Sequence, residues 1–385
     1  MSPDHRPREG PRRSRAVKAG PVIIGGGWPV SVQTMAKTDT RQVGATVAEI
    51  ERLSALGCDL VRLAVPDEDA ARAVALIKKD APIPVVADIH FNHRLALMCI
   101  DSGVDKLRLN PGNIGSPERV REVARAARDR GVPIRVGANA GSITAEARHR
   151  ARGDLATALV ESALEQANIL EEAGHRDLVV SVKAYDLDVV VRAYREIATR
   201  TDYPLHLGVT EAGSGLAGTV RSAIGIGALL LEGIGDTIRV SLTGPADEEV
   251  QVGREILLAT GLREGLLVVS CPTCGRSTVD LVPIVKEVRE ALKDVTSPLR
   301  VAVMGCEVNG PGEARDADIG VAVAGGSAVL FVGGRAVRRV RRQEIADALL
   351  KEAGRLAGGS AGRGPTGEDG RGPGAASRLG RRETD

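Results

Sequence analysis

PVSVQTM (residues 29–35), ATVAEIERLSALG (45–57) and LVRLAV (60–65) set a β-branched run, an apolar pattern at helical spacing that ends on glycine, and a second β-branched run in succession. Apolar residues three and four apart mark one face of a helix and the closing Gly marks its stop, so the stretch reads as strand, helix, strand. The same alternation recurs in PVVADIH (84–90), KLRLNPG (106–112), PIRVGANAG (133–141), LVVSVKA (178–184), PLHLGVTEAG (204–213) and DTIRVSLT (236–243), with ERVREVARAARDRG (118–131) a further helical segment. That makes eight β-branched runs separated by helical segments, which predicts a parallel sheet closed as a TIM (β/α)8 barrel over residues 21–250.

Active sites of such barrels lie at the carboxyl ends of the strands. Here those ends carry Gln33, Arg62, Asp88, His90, Arg108, Asn110, Arg135, Asn139, Lys183, His206, Glu211, Arg239 and Ser241. One arginine at a strand end is ordinarily a surface charge or half of a structural ion pair. Five cations converging on one mouth, Arg62, Arg108, Arg135, Lys183 and Arg239, would repel one another unless a polyanion such as a diphosphate neutralised them. A phosphorylated substrate is the expectation.

Beyond residue 243 the pattern changes. LLVVSCPTCGR (266–276), VDLVPIVKEVREAL (279–292), LRVAVMGCEVNGPGEA (299–314), IGVAVAG (319–325) and AVLFVGG (328–334) predict a smaller α+β domain over 266–355, joined to the barrel by a linker or hinge over 251–265. Three of the five cysteines fall in it: Cys271 and Cys274 in a CxxC turn, and Cys306 after another strand. Soft thiolates so spaced suit an iron-sulfur cluster or zinc. A closed zinc site takes a fourth Cys or His, whereas no His follows His206, and Cys58 and Cys99 belong to barrel packing. Glu313, seven residues past Cys306, is the nearest further donor, although a Glu in a polar loop is usually only solvated. A zinc-stabilised barrel enzyme acting on a sugar phosphate therefore stands as the alternative, and a non-enzymatic electron carrier as a second.

Aromatic residues are 2% of the chain, too few for base-stacking surfaces, and the formal charge of +2 exerts no pull toward nucleic acid. No apolar run approaches the roughly 18 residues of a membrane span and the Arg-rich start lacks a signal-peptide core, so a cytoplasmic protein is expected, with neither nucleic acid nor membrane as partner. Residues 1–20 and 356–385, rich in Gly, Pro and Arg without an apolar face, read as disordered tails.

The blocks SVQTMAKTDT (31–40), ADIHFNHRLAL (87–97), KLRLNPGNIG (106–115), GANAGS (137–142), LGVTEAG (207–213), SAIGIGALLLEGIGDTIRVSLT (222–243), CPTCGR (271–276) and MGCEVNGPGEA (304–314) together resemble the GcpE (IspG) family, from about residue 21 to about 355. Tyr185 after SVKA and the QTMAKT start depart modestly from its pattern. The resemblance implies a [4Fe-4S] cluster on Cys271, Cys274, Cys306 and Glu313. It implies two-electron reduction of 2-C-methyl-D-erythritol 2,4-cyclodiphosphate to 4-hydroxy-3-methylbut-2-enyl diphosphate in non-mevalonate isoprenoid synthesis. It further implies diphosphate binding by Arg62, Arg108, Arg135, Asn139, Lys183, Arg239 and Ser241, with Asp88, His90, Asn110 and His206 nearby. Ferredoxin or flavodoxin is the expected electron donor and a homodimer the expected assembly, the cluster domain of one subunit covering the barrel mouth of the other. Glu211 is the candidate proton donor.

Overall fold

The computed structural model describes residues 12–275, 277, 279–306 and 310–359, in two compact units, Met1–Arg263 and Glu264–Asp385. The expectations for residues 1–11 and 360–385 lie outside the described residues.

The first unit is the barrel. β1 (Ala16–Ala19) and β2 (Val22–Gly25) pair antiparallel as a hairpin ahead of it. Eight parallel strands follow: β3 (Ser31–Met35), β4 (Leu60–Val65), β5 (Val85–Ile89), β6 (Lys106–Arg108), β7 (Ile134–Asn139), β8 (Leu178–Lys183), β9 (His206–Leu207) and β10 (Thr237–Ile238). Their order is β8-β7-β6-β5-β4-β3-β10-β9. A parallel bridge from Val180 to Leu205, with the Val180 N–H donating to the Pro204 carbonyl at 2.9 Å, joins the two ends and closes the cylinder.

Alternation along each strand decides what goes where. Val61, Leu63 and Val65 of β4 point outward, where they pack with Ile50 and Leu53 of helix Val43–Ala55 and Val74 and Ile77 of helix Glu68–Asp80 in the main apolar core. Leu60, Val86 and Val179, at the strand starts, pack instead with Val17, Ala19 and Ile24 of the hairpin, which floors the barrel. The arm expected to be disordered through residue 20 is therefore ordered from Arg12, whose guanidinium donates to the Tyr203 carbonyl at 2.7 Å. The linker expected over 251–265 also differs. Most of it belongs to helix Ala246–Ala259, which buries Val250, Ile256 and Leu257, and the first unit ends only at Arg263.

The second unit is a five-stranded sheet in sequential order: β11 (Leu266–Ser270), β12 (Leu299–Met304), β13 (Ile319–Ala324), β14 (Ser327–Val332) and β15 (Arg335–Arg341). The first three are parallel and the last two antiparallel. Helices Leu281–Ala291 and Ile345–Gly359 cover one face through Ile284, Val288, Ala348 and Leu349 against Val301, Val303, Val321 and Leu330. The latter helix runs past the expected domain end at 355. On the other face, helix Gly310–Asp316 seats Ala314 against Ala322 and Phe331, so Glu313 stands on a short helix rather than in the loop expected from its composition. Among the described residues no helix is long and apolar enough to cross a membrane.

Candidate active site and cluster cavity

In the barrel the pleat turns every second residue inward, and the register sets Asp88 of β5, Arg108 of β6 and Arg135 of β7 side by side. The Asp88 carboxylate lies 3.4 Å from Arg108 Nη1, 3.5 Å from His90 Nε2 and 3.8 Å from Arg62 Nε. Burial acts to raise its pKa, but Arg62, His90 and Arg108 outweigh that and hold it well below the usual carboxylate range. Arg108 Nη1 donates to His90 Nε2 at 2.9 Å, and Arg62 Nη2 to Met35 Sδ at 2.9 Å.

Deeper in, compensation runs out. Arg135, 4% exposed, donates to Ser181 Oγ at 3.3 Å, and burial with the charges of Arg62 and Arg108 pushes its guanidinium well below its ordinary value. Burial, Arg135 and Arg239 do the same to the Lys183 ammonium. Burial and Lys183 push His206 down, and neither ring nitrogen of this fully buried residue has a hydrogen-bond partner. Arg239 Nη2 reaches Glu249 at 3.4 Å, while its Nε and the Nε of Arg135 stay unpartnered. Two glycines make room for these side chains. A Cβ at Gly137 would fall 2.1 Å from Ser181 Oγ, and one at Gly208 would fall 2.7 Å from Lys183 Nζ.

Arg62, Asp88, His90, Arg108, Arg135, Lys183, His206 and Arg239 are thus brought together, Arg135, Lys183 and His206 from inside the barrel rather than from its rim. Asn110, Asn139 and Ser241 sit half-buried at strand ends without joining this network. Asn110 Oδ1 instead accepts from the Gly112 N–H at 3.0 Å. Glu211 is exposed, with φ of 55°, a left-handed conformation that costs a side-chain-bearing residue of order 1–3 kcal/mol and collects at functional sites. Phe91, 70% exposed at φ of 65°, shares the feature beside His90.

Sequence reasoning missed three interior groups. Lys106, fully buried, donates from Nζ to Gln33 Oε1 at 3.0 Å, and burial and Arg135 push its ammonium well down. Its position two residues before Arg108 on one strand was the available signal. Ser181 carried the same signal two residues before Lys183. Glu249, 1% exposed, takes Thr34 Oγ1 at 2.5 Å, Lys37 Nζ at 3.0 Å and the Leu242 N–H at 3.1 Å. Nothing in the sequence separates it from its neighbours Asp247 and Glu248.

In the second unit, Cys271, Cys274, Cys306 and Glu313 line one cavity of about 280 Å³, with Val269, Pro272, Met304 and Gly310 completing its wall. The Cys271 N–H donates to the Val303 carbonyl at 3.1 Å, tying the CxxC turn to β12, and Thr273 between the two thiols takes φ of 52°. The Gly310 N–H donates to the Cys306 carbonyl at 3.2 Å, anchoring the helix that presents Glu313. Among the described residues no three His, Cys, Asp or Glu converge tightly enough for a single metal ion. Three soft thiolates and a carboxylate spread round a cavity fit a multi-atom cluster. Cys58 and Cys99 are packing residues, their thiols pushed up to about 12 by burial.

The class these features define is a TIM-barrel oxidoreductase with a separate iron-sulfur domain. Residues 14–254 match the GcpE TIM-barrel domain and 267–355 the GcpE protein C-terminal domain, and the chain belongs to the GcpE family. It is 52% identical to the 4-hydroxy-3-methylbut-2-en-1-yl diphosphate synthase (flavodoxin) of Geobacter sulfurreducens, over 88% of this chain and 97% of that one. It is 51% identical to the synthase of the same name from Symbiobacterium thermophilum, over 88% and 92%. Among solved structures it is similar to dihydropteroate synthase from Xanthomonas albilineans, with a TM-score of 0.46 and 15% identity over 64% of this chain and 97% of that one, a likeness too slight to add anything.

Proposed function

We infer that this chain carries out the reaction its relatives are named for. It reduces 2-C-methyl-D-erythritol 2,4-cyclodiphosphate by two electrons, opening the ring and losing a hydroxyl as water, to give 4-hydroxy-3-methylbut-2-en-1-yl diphosphate for isoprenoid synthesis. The observation that carries this reading is a charge imbalance. Six basic side chains, Arg62, Lys106, Arg108, Arg135, Lys183 and Arg239, are enclosed with two carboxylates, Asp88 and Glu249. Buried charge without a partner costs several kcal/mol per ion, so this interior is built for a bound polyanion. The unpartnered Nε atoms of Arg135 and Arg239 and the amide of Gln33 are donors that phosphate oxygens would satisfy. Already oriented, they stabilise the charge that grows on the diphosphate as the carbon–oxygen bond breaks, without reorganising.

Cys271, Cys274, Cys306 and Glu313 are the residues that would hold a [4Fe-4S] cluster, which when bound supplies electrons one at a time and a Lewis-acidic iron. Glu211 delivers the proton to the departing hydroxyl; its left-handed backbone at the end of β9 supports that role. Asn110, Asn139 and Ser241 line the rim and contact the substrate's outer oxygens. The relatives' names support flavodoxin as donor. The family resemblance supports a homodimer with a cross-subunit site, and the thiolate ligands a reducing, cytoplasmic setting. Incubation of the anaerobically purified chain with the cyclodiphosphate and reduced flavodoxin tests the reading. The linear allylic diphosphate is the expected product. A zinc-containing, colourless chain that turns over a sugar phosphate without consuming electrons would replace this reading with the alternative.

A further inference from the structure

Between Arg335 and Arg342 the chain carries five arginines and no acidic residue. They form β15 and the residue after it, the free edge of the second unit's sheet, and all five are exposed. Arg341 pairs with Glu344, while among the described residues Arg335, Arg338, Arg339 and Arg342 have no ion-pair partner. Charged side chains on an edge strand do guard against unwanted strand pairing. That role is met by one or two charges and does not account for where this strand leads.

The register places Arg339 beside Val329 of β14, and Val329 beside Ala322 of β13. All three stand on the sheet face that carries helix Gly310–Asp316, whose Ala314 packs on Ala322 and whose Glu313 lines the cysteine cavity. Two strand spacings, about 10 Å, separate the Arg339 backbone from Ala322. Between them lies a shallow depression of about 370 Å³ walled by Ala322, Ala324, Gly325, Ser327, Val329 and Arg339, where small side chains keep the surface low. Arg339 therefore borders a smooth floor on the face that carries Glu313, while Arg335 and Arg338, paired with Val332 and Leu330, extend the basic edge on the opposite face.

We propose that this edge is the docking surface for the electron-carrier protein, and that the carrier presents a carboxylate-rich face to Arg335, Arg338, Arg339 and Arg342. The inference rests on the reading of the second unit as an iron-sulfur domain. The only aromatic residue of the described second unit, Phe331, is buried, so the strand offers nothing on which a nucleic-acid base could stack. Opposite charge steers encounter and fixes orientation, which suits a carrier that must arrive, discharge and leave. Each docking would deliver one electron from the carrier's reduced flavin, to be accepted by the redox group that Cys271, Cys274, Cys306 and Glu313 would hold. Two such transfers, with two protons, supply one ring opening, whose lost oxygen leaves as water.

The test compares the holoenzyme with its Arg335→Glu/Arg338→Glu/Arg339→Glu variant under two reductants, dithionite and previously reduced flavodoxin. Dithionite-driven turnover is expected to match in the two proteins, while flavodoxin-driven kcat/KM falls by on the order of tenfold or more through a raised KM. Calorimetric titration of the holoenzyme with oxidised flavodoxin should show the same loss of affinity, and wild-type binding should weaken as salt rises. Equal flavodoxin kinetics and affinity in the two proteins would overturn the proposal, as would loss of dithionite turnover in the variant. Displacement of flavodoxin by an equimolar single-stranded oligonucleotide would reassign the strand to nucleic acid. Absence of dithionite turnover in the wild type would instead defeat the underlying functional reading.

Discussion

Asp88→Asn removes the carboxylate that Arg62, Arg108 and His90 share while keeping its shape. A unit pair at the 3.4 Å of Arg108 and Asp88 attracts by about 5 kcal/mol at an effective dielectric of about 20. Arg62 at 3.8 Å adds to it, and the cost of burying the carboxylate subtracts. Breaking a buried pair from one side costs about 3–5 kcal/mol net, because the remaining cations lose their counter-charge. For a domain of this size each kcal/mol moves Tm by about 2–4 °C, so the variant should melt about 6–20 °C lower by circular dichroism at neutral pH. The folded pKa of Asp88 lies below its unfolded value. Its contribution is therefore fully present above about pH 4 and lost as pH falls through the folded pKa, so the two proteins should converge only on the acid side. Inorganic pyrophosphate should stabilise the variant more than the wild type, since it supplies the missing negative charge. A Tm loss under about 2 °C would refute the claim that this carboxylate holds an otherwise self-repelling cluster together.

Glu313→Ala should leave the barrel's circular dichroism unchanged but lower iron retained after anaerobic desalting, with turnover falling by on the order of tenfold or more. Glu211→Gln should keep iron content and substrate KM while kcat drops by about 10²–10⁴, the usual range for a lost general acid. Binding of the diphosphate should take up protons, because Lys183, Lys106 and His206 all have lowered pKa values that a bound anion raises. Calorimetry in buffers of different ionisation enthalpy reads that uptake, and proton release would contradict it.

The eight barrel strands were legible because each is a short β-branched run followed by a helix with a clear stop. Gly131, left-handed at φ of 64° behind helix Pro117–Arg130, is one such stop. The cations were legible as residue types, but their depth was not. The sequence pattern placed Arg135, Lys183 and His206 at a mouth, whereas the strand register sinks them among inner layers where water cannot screen them. Lys106 starts its strand, and the two-residue period that turns Arg108 inward turns Lys106 inward too. Glu249 could not be read at all, since its role depends on helix Ala246–Ala259 folding back onto β3 and β10, a long-range contact with no local signature. The same helix explains why the expected linker is short: its glycine and polar residues suggested a hinge, but Val250, Ile256 and Leu257 commit it to the barrel.

Electron stoichiometry tests the central claim most directly. The anaerobically purified chain is mixed with a known amount of 2-C-methyl-D-erythritol 2,4-cyclodiphosphate and a titrated reductant, and the phosphorus spectrum is followed as iron, sulfide and zinc are measured. The account predicts about four iron and four sulfide per chain and consumption of about two electrons for each linear diphosphate formed. A chain that holds zinc without sulfide, or that consumes the cyclodiphosphate with no electrons taken up, would contradict it.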